Sequence, residues 1–372
     1  MGISGGPLVD TIAPAWRWVF FVNVPIGVCG LAIAWAASTD WDTPRLKARV
    51  DSAGALLFSF GLLAILSGTT LIGDGDAVFG VPINLAVGGM IGAGVVALLI
   101  AIWYGFRRPN PFLDPRLFQD RVFSSAALIS LLTGYGMATA IVGGAVFVDR
   151  VLYGGPDEQR VVLGALAGAM AIGALLSGFL TRRFSLRGLT LVGLAISAGG
   201  LFWMSTWTSS APTDMFALSA AVFGLGFGLT VTPRSTAAVE AAGRAAFGAA
   251  SATVTVARMI GMALGMAALT AYGSTTITRV SNEIYGSGDA YKQYIPEYLR
   301  SRPLTDGLVA QALEQWAASK AASIMVGIFL VAAVVTLVAA VPAVMLRIRH
   351  QAKTESVDRA MAEEIPGGEI AF

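Results

Sequence analysis

The chain is poor in charge. Asp, Glu, Lys and Arg make up 13% of its 372 residues, against roughly 25% in an ordinary soluble domain. That excludes a disordered chain, which needs high charge and low hydrophobicity, and argues against a soluble enzyme. The single cysteine, Cys29, excludes a disulfide framework and a thiolate metal site within one chain. The single histidine, His350, lies in a polar tail, so neither histidine catalysis nor a histidine metal cluster fits the apolar body. A net charge of +2 is too small to point to nucleic acid. Apolar residues dominate instead: 55% of the chain is AVILMFWYC, 44 residues are glycine, and the mean hydropathy is +0.71.

These residues fall into runs. A membrane-spanning helix needs about 20 nearly uncharged residues. Nine runs qualify: Trp18–Ser38, Ala53–Ile72, Val81–Phe106, Val122–Val148, Val161–Thr181, Gly188–Thr208, Met215–Pro233, Phe247–Gly273 and Ala321–Leu346. Only Phe247–Gly273 carries a charge, at Arg258. Backbone groups in hydrocarbon must be satisfied within the segment, which predicts helices. The alternation of barrel strands is absent. The expected fold class is therefore an all-α integral membrane protein.

Lys and Arg set the orientation. One side collects Arg45, Lys47 and Arg49; Arg107, Arg108, Arg116 and Arg121; Arg182, Arg183 and Arg187; Arg234 and Arg244; and a tail with Arg347, Arg349, Lys353 and Arg359. The short connections on the other side hold only Arg150 and Arg160. The C-terminal tail, 347–372, is expected in the cytoplasm and the chain in the inner cell membrane. One outer connection, Ser274–Lys320, is long and holds Tyr285, Tyr291, Tyr294 and Tyr298, with Pro296 and Pro303 as breakers. Within it, Asp306–Lys320 reads as a separate helix. Two readings fit the connection: a docking surface or lid, or a variable loop with interface-seeking tyrosines. Met1–Pro14 is too short to cross and is a poor signal peptide. It is expected to be the outer end of a helix whose earlier part precedes this chain.

Trp16-Arg17-Trp18-Val19-Phe20-Phe21-Val22-Asn23-Val24-Pro25-Ile26-Gly27 resembles the start of the sixth span in the fourteen-span drug:proton antiporters of the major facilitator superfamily. Gly5-Gly6 resembles the last glycine pair of that family's antiporter motif, while the Gly-Pro pair expected at Met1-Gly2 is missing. The resemblance implies a major facilitator fold with an incomplete N-terminal half. Residues 1–38 would close that half, 39–121 would hold two inserted linker helices, and 122–346 would form the C-terminal six-helix half with the extension 274–320. Gly178, Leu180, Arg183 and Arg187 match the second-half loop motif G-x-L-x-D-R-x-G-R-R. Arg182 stands where the motif has Asp and Ser185 where it has Gly, which puts the gate-locking charge relay in doubt. The run Val256-Ala257-Arg258-Met259-Ile260-Gly261-Met262 is similar to a branch that exports lipids and works with a periplasmic lipid-binding lipoprotein. That implies membrane lipids and a small hydrophobic substrate as partners, with the lipoprotein meeting 274–320. The drive would be the proton gradient, with no cofactor and no metal.

Few residues are left to carry chemistry. An arginine at mid-span costs several kcal/mol unless it faces an aqueous cavity or an acid, and it has no accessible neutral form. Arg258 is thus either a cavity residue that alternately pairs with a proton-carrying carboxylate, or a static clamp on helix carbonyls. Asp149 is either a titrating group at the outer mouth or a solvated helix end. Asp10 is similar. Asp51 reads as an N-terminal carboxylate that answers a helix dipole, and Glu240 as a surface partner of Arg234 and Arg244. Gly224-x-Gly226-x-Gly228 lies in an apolar run with no strand before it, so close packing outweighs a phosphate loop. Gly261 and Gly265 sit at the same packing spacing. A transporter is the favoured function, exporting drugs or lipids by alternating access. A non-transporting fragment or partner subunit is the alternative. An intramembrane enzyme lacks a nucleophile with a base.

Overall fold

The computed structural model describes residues 18–37, 51–71, 77–78, 81–108, 111–112, 114–152, 154–208, 211–243, 246–285, 290–301 and 307–346. Gly5, Gly6, Asp10, Arg45, Lys47, Arg49, Arg244, Pro303 and the tail with His350 lie outside the described residues. The chain divides into units 1–49 and 50–372. The first holds helix α1 (Trp18–Ala37), which contains Pro25 and the exposed Cys29.

The second unit runs through α2 (Ser52–Thr70), α3 (Ile83–Arg107), α4 (Arg121–Ala138), a π turn at Thr139–Gly143, α5 (Gly144–Arg150), α6 (Pro156–Leu180) and α7 (Leu186–Met204). It continues with α8 (Thr213–Ala242), α9 (Phe247–Tyr285), α10 (Gly307–Val338) and the short α11 (Ala340–Ala343). Among the described residues, eight helical segments are long and apolar enough to cross a membrane. The ninth expected run coincides with α1, whose apolar stretch Asn23–Ala36 is shorter. The run expected from Val81 starts as a two-residue strand, β2 (Val81–Pro82), antiparallel to β1 (Ala77–Val78). Its helix begins only at Ile83, behind Pro82, which has no N–H to donate.

At three helix starts, short polar side chains accept the orphan N–H groups. Asp120 accepts from Val122 and Phe123 at 2.7 and 3.1 Å. Asp51 accepts from Gly54 at 3.0 Å and from the distant Phe112 N–H at 3.2 Å, tying the segment after α3 to the start of α2. Gly243, at φ 77°, ends α8 in a conformation that favours glycine.

Helix α8 is central: it packs on α6, α7 and α4. Its glycines explain how. Residues two apart on a helix point about 200° apart, so Gly224 and Gly228 share one face while Gly226 takes the other. A side chain at Gly224 would overlap the Leu166 carbonyl of α6, and one at Gly228 the Met170 carbonyl. A side chain at Gly226 would run into Ser197 and Gly193 of α7. Lipid supplies no hydrophobic drive between helices, so such close backbone approach is a main source of association.

The chain does not leave the bundle at Pro233, where the sequence predicts the end of a span. Helix α8 is 30 residues long and continues to Ala242. A proline inside a helix removes the N–H that would bond the carbonyl four residues earlier. That carbonyl belongs to Leu229, and it accepts instead from the buried Ser177 hydroxyl of α6 at 2.9 Å. Ser177→Ala is therefore expected to cost about 1–3 kcal/mol by stranding a buried acceptor. A thermal melt in mild detergent reads this, and an unshifted midpoint would show that α8 supports its proline otherwise.

The long connection is also ordered differently from expectation. Helix α9 has 39 residues and continues to Tyr285, about 18 Å past Gly273 at helical rise. Helix α10 is a single 32-residue element from Gly307, so Asp306–Lys320 is not a separate helix. The span simply begins one stretch earlier. Between α9 and α10, short turns at Ala290–Gln293 and Glu297–Leu299 carry Tyr291, Ile295 and Leu299 into a small core with Val309 and Leu313. The Tyr294 and Trp316 rings meet at 4.3 Å.

Candidate functional site

The site is built from the contact of α4 with α9. Three close approaches fix it: Gly261 lies on the Leu131 carbonyl, Gly265 on Tyr135, and Gly134 on the backbone of Arg258. None has room for a side chain. Arg258 is thereby held against α4, half-buried, with a buried Nε that meets no acceptor among the described residues.

The neighbouring residue on α4, Thr133, leads to a second arginine that sequence reasoning placed in a connecting loop. Arg234 lies within α8, one residue past Pro233, and is 1% exposed. Its Nη1 donates to Thr133 Oγ1. Its guanidinium lies over the Phe227 ring, 5.1 Å from the centroid. Thr133 donates its own O–H to the Ile129 carbonyl at 2.7 Å. Thr133, which binds Arg234, and Gly134, which packs on the Arg258 backbone, are adjacent on α4, so both arginines meet the same turn of that helix. Helical rise gives the depths. Thr133 is about 18 Å from the start of α4, Arg258 about 16 Å from the start of α9, and Arg234 about 12 Å from the end of α8. Those three helix termini meet in one apolar cluster that includes Phe123, Ala237 and Ala250, so the groups lie within about 6 Å of one another in depth.

This corrects two expectations. Arg234 is not a surface residue, and it cannot share a surface ion pair with Glu240, which is exposed while Arg234 is buried. No Asp or Glu is buried among the described residues. The missed signal lay after the proline. Ser235–Ala242 is rich in helix formers and carries only Glu240, so a helix tolerant of Pro233 would carry Arg234 inside it.

The other candidates lie elsewhere. Asp149 is exposed at the end of α5, about 24 Å along the helix from Thr133, so it does not join the arginines. Gly178 and Leu180 close α6, with open space beside Gly178. Arg183 is exposed, its N–H bonding the Leu180 carbonyl at 3.0 Å. Ser185 caps α7 by accepting from Gly188 at 3.1 Å. Arg187 is half-buried in the first turn of α7. The arginines' level lies between two apolar clusters. One holds Phe123, Leu186, Ala237 and Ala250. The other holds Phe147, Trp207, Phe216 and Phe329. Trp207 contacts the other three rings at 4.8–5.2 Å. Its Nε1–H donates to Ser219 Oγ at 2.9 Å.

Comparison with known proteins adds to this geometry. Residues 1–266 match the family profile of the Major Facilitator Superfamily. A triacylglyceride transporter of Mycolicibacterium hassiacum is 32% identical, over 77% of this chain and 52% of that protein. A triacylglyceride transporter of Mycolicibacterium smegmatis is also 32% identical, over 95% of this chain and 63% of its own length. A probable triacylglyceride transporter of Mycobacterium leprae is 31% identical, over 69% and 52%. The chain thus spans 52% to 63% of the length of these relatives.

Proposed function

Because the chain belongs to the Major Facilitator Superfamily and is a multi-pass membrane protein, we propose that it forms part of a secondary transporter that exports hydrophobic or amphipathic lipids. The drive is proton antiport, with alternating access between the two sides of the inner cell membrane and the C-terminus in the cytoplasm. The observation that carries this reading is Arg258. It is an arginine inside an apolar span, locked to α4 by glycine contacts, with a buried Nε that meets no acceptor among the described residues. Such a group calls for a counter-charge that comes and goes. In a proton antiporter that counter-charge is a carboxylate, and its protonation releases the pair. The relatives named as triacylglyceride transporters support a lipid as cargo over a drug.

The test is export of radiolabelled triacylglyceride from cells lacking their own exporter, with and without an uncoupler. Export that needs both the protein and the proton gradient is expected. Export insensitive to the uncoupler removes proton coupling, and absence of export removes the transport reading.

The ordered cap between α9 and α10 is proposed as the docking surface for a periplasmic lipid-binding lipoprotein. Tyr298, 76% exposed beside the buried Leu299, offers an aromatic contact on its surface. Replacing 290–301 by a flexible linker of equal length is expected to reduce lipid export more than efflux of a fluorescent dye. Equal loss of both would mean that the cap serves stability alone.

A further inference from the structure

Helix α3 has 25 residues and is about 37 Å long. Hydrocarbon is about 30 Å thick, so the last turn of α3 enters the headgroup layer. Three exposed arginines gather there. The Arg107 guanidinium lies over the Trp103 ring, 4.1 Å from its centroid. The Arg108 guanidinium lies over the Tyr104 ring at 4.9 Å and donates to the Tyr104 hydroxyl. Arg116 returns from the following connection, and its Nη2 donates to the Phe106 carbonyl at 3.1 Å. Of the three side chains, only Arg116 is spent on a helix carbonyl. A guanidinium stacked on a ring keeps its edge N–H groups for other partners. The carboxylates of this region, Asp51 and Asp114, are taken up by the backbone N–H groups of Gly54, Phe112 and Arg116. Between α2, α3 and the connection lies a mainly apolar notch, whose walls include Asp51, Phe58, Ala101, Ile102, Gly105 and Phe112. Tyr104 shares a helix face with Ala101, so Arg108, folded onto Tyr104, stands beside that notch.

We propose that the C-terminal turn of α3 is a binding site for an anionic phospholipid of the bordering leaflet. Arg107, Arg108 and Arg116 hold the phosphate oxygens, which guanidinium forks match in charge and geometry. The first acyl carbons lie against Phe58, Ala101 and Ile102 in the notch. Charge complementarity selects an acidic headgroup. The aromatic rings at interface depth and the apolar notch select a lipid over a free ion. In the orientation proposed above, this is the cytoplasmic leaflet. The lipid is a resident of the bilayer and not the cargo, so its binding is independent of the transport reading.

The test is a thermal-shift titration of the purified protein in neutral detergent with dioleoylphosphatidylglycerol, dioleoylphosphatidylcholine and inorganic phosphate. The phosphatidylglycerol is expected to raise the melting temperature at lower concentration than the phosphatidylcholine, whose ammonium cancels its phosphate. Inorganic phosphate is expected to leave it unchanged. Arg107→Gln/Arg108→Gln should need about 25-fold more phosphatidylglycerol for the same shift, at about fivefold per arginine. Arg107→Gln alone should show the single fivefold step, given as about fivefold. Without added lipid the double variant should melt with the parent, because Arg116 keeps its bond to Phe106 and the two lost guanidinium groups touch only rings of their own segment. Arg182→Gln/Arg183→Gln removes the same charge from another exposed connection and should respond like the parent. Equal loss in both double variants would reduce the effect to diffuse surface charge and overturn the proposal. An equal shift with phosphatidylcholine or with inorganic phosphate would overturn it too, as would an undiminished response in Arg107→Gln/Arg108→Gln.

Discussion

Gly261→Leu is expected to prevent stable assembly of α4 with α9. The Leu131 carbonyl already occupies the space that even a Cβ would need, and that obstacle is backbone. A flexible side chain could move aside, but a helix must shift as a whole. Overpacking a well-filled interior costs about 1–3 kcal/mol. Here the neighbouring contacts at Gly134 and Gly265 would open with it, so the loss should reach or exceed the top of that range. The readout is the fraction of monodisperse protein after extraction, together with its melting temperature. The control is Gly178→Leu, where nothing lies within 4 Å of the added atom. That variant should behave like the parent. If Gly261→Leu melts with the parent, the two helices are not in backbone contact and the placement of Arg258 falls with that contact.

The comparison of these two glycines shows what a single sequence reveals. Spacing marks Gly261 and Gly265 as candidates for a helix contact, but it does not name Leu131 and Tyr135 as the other side. The spans themselves were legible, because an uncharged run of about 20 residues has few alternatives to a buried helix. The ends were less so. Pro233 reads as a stop because the usual rule counts only hydrogen bonds within the helix. Its lost bond is made good by Ser177 of another helix, and nothing local to Pro233 records that. The error carried further. With the span ending at Pro233, Arg234 falls in a loop, and the most buried charge of the described residues reads as a surface partner of Glu240. Arg258 escaped this because apolar residues flank it on both sides. The cap at 290–301 was missed for a related reason. Its core joins residues from two turns and a helix, so its apolar positions follow no single period.

Arg258→Ala is expected to abolish gradient-driven lipid export while leaving the protein folded and inserted. The two halves of that statement rest on different atoms. The contact that holds α9 on α4 runs through the Arg258 backbone and Gly134, which alanine preserves. The side chain that is lost includes a buried Nε with no acceptor. Removing an unsatisfied donor is neutral or stabilising, unlike removing a partner from a satisfied pair. On the proposed mechanism, export depends on the charge itself. On that mechanism, a carboxylate facing this level loses Arg258 as the cation that its protonation releases, because Arg234 is held by Thr133 and Phe227, and the proton no longer biases the two access states. Arg258→Lys should retain part of the export, since a lysine keeps the charge but lacks the planar fork. The measurement is export per folded molecule, with uncoupler sensitivity scored in the same cells. Alanine leaving export intact would rule out a coupling role. A lowered melting temperature with export per folded molecule unchanged would instead identify Arg258 as a static clamp. Loss of export at parental stability, partly restored by lysine, is what an electrostatic switch requires and a clamp does not produce.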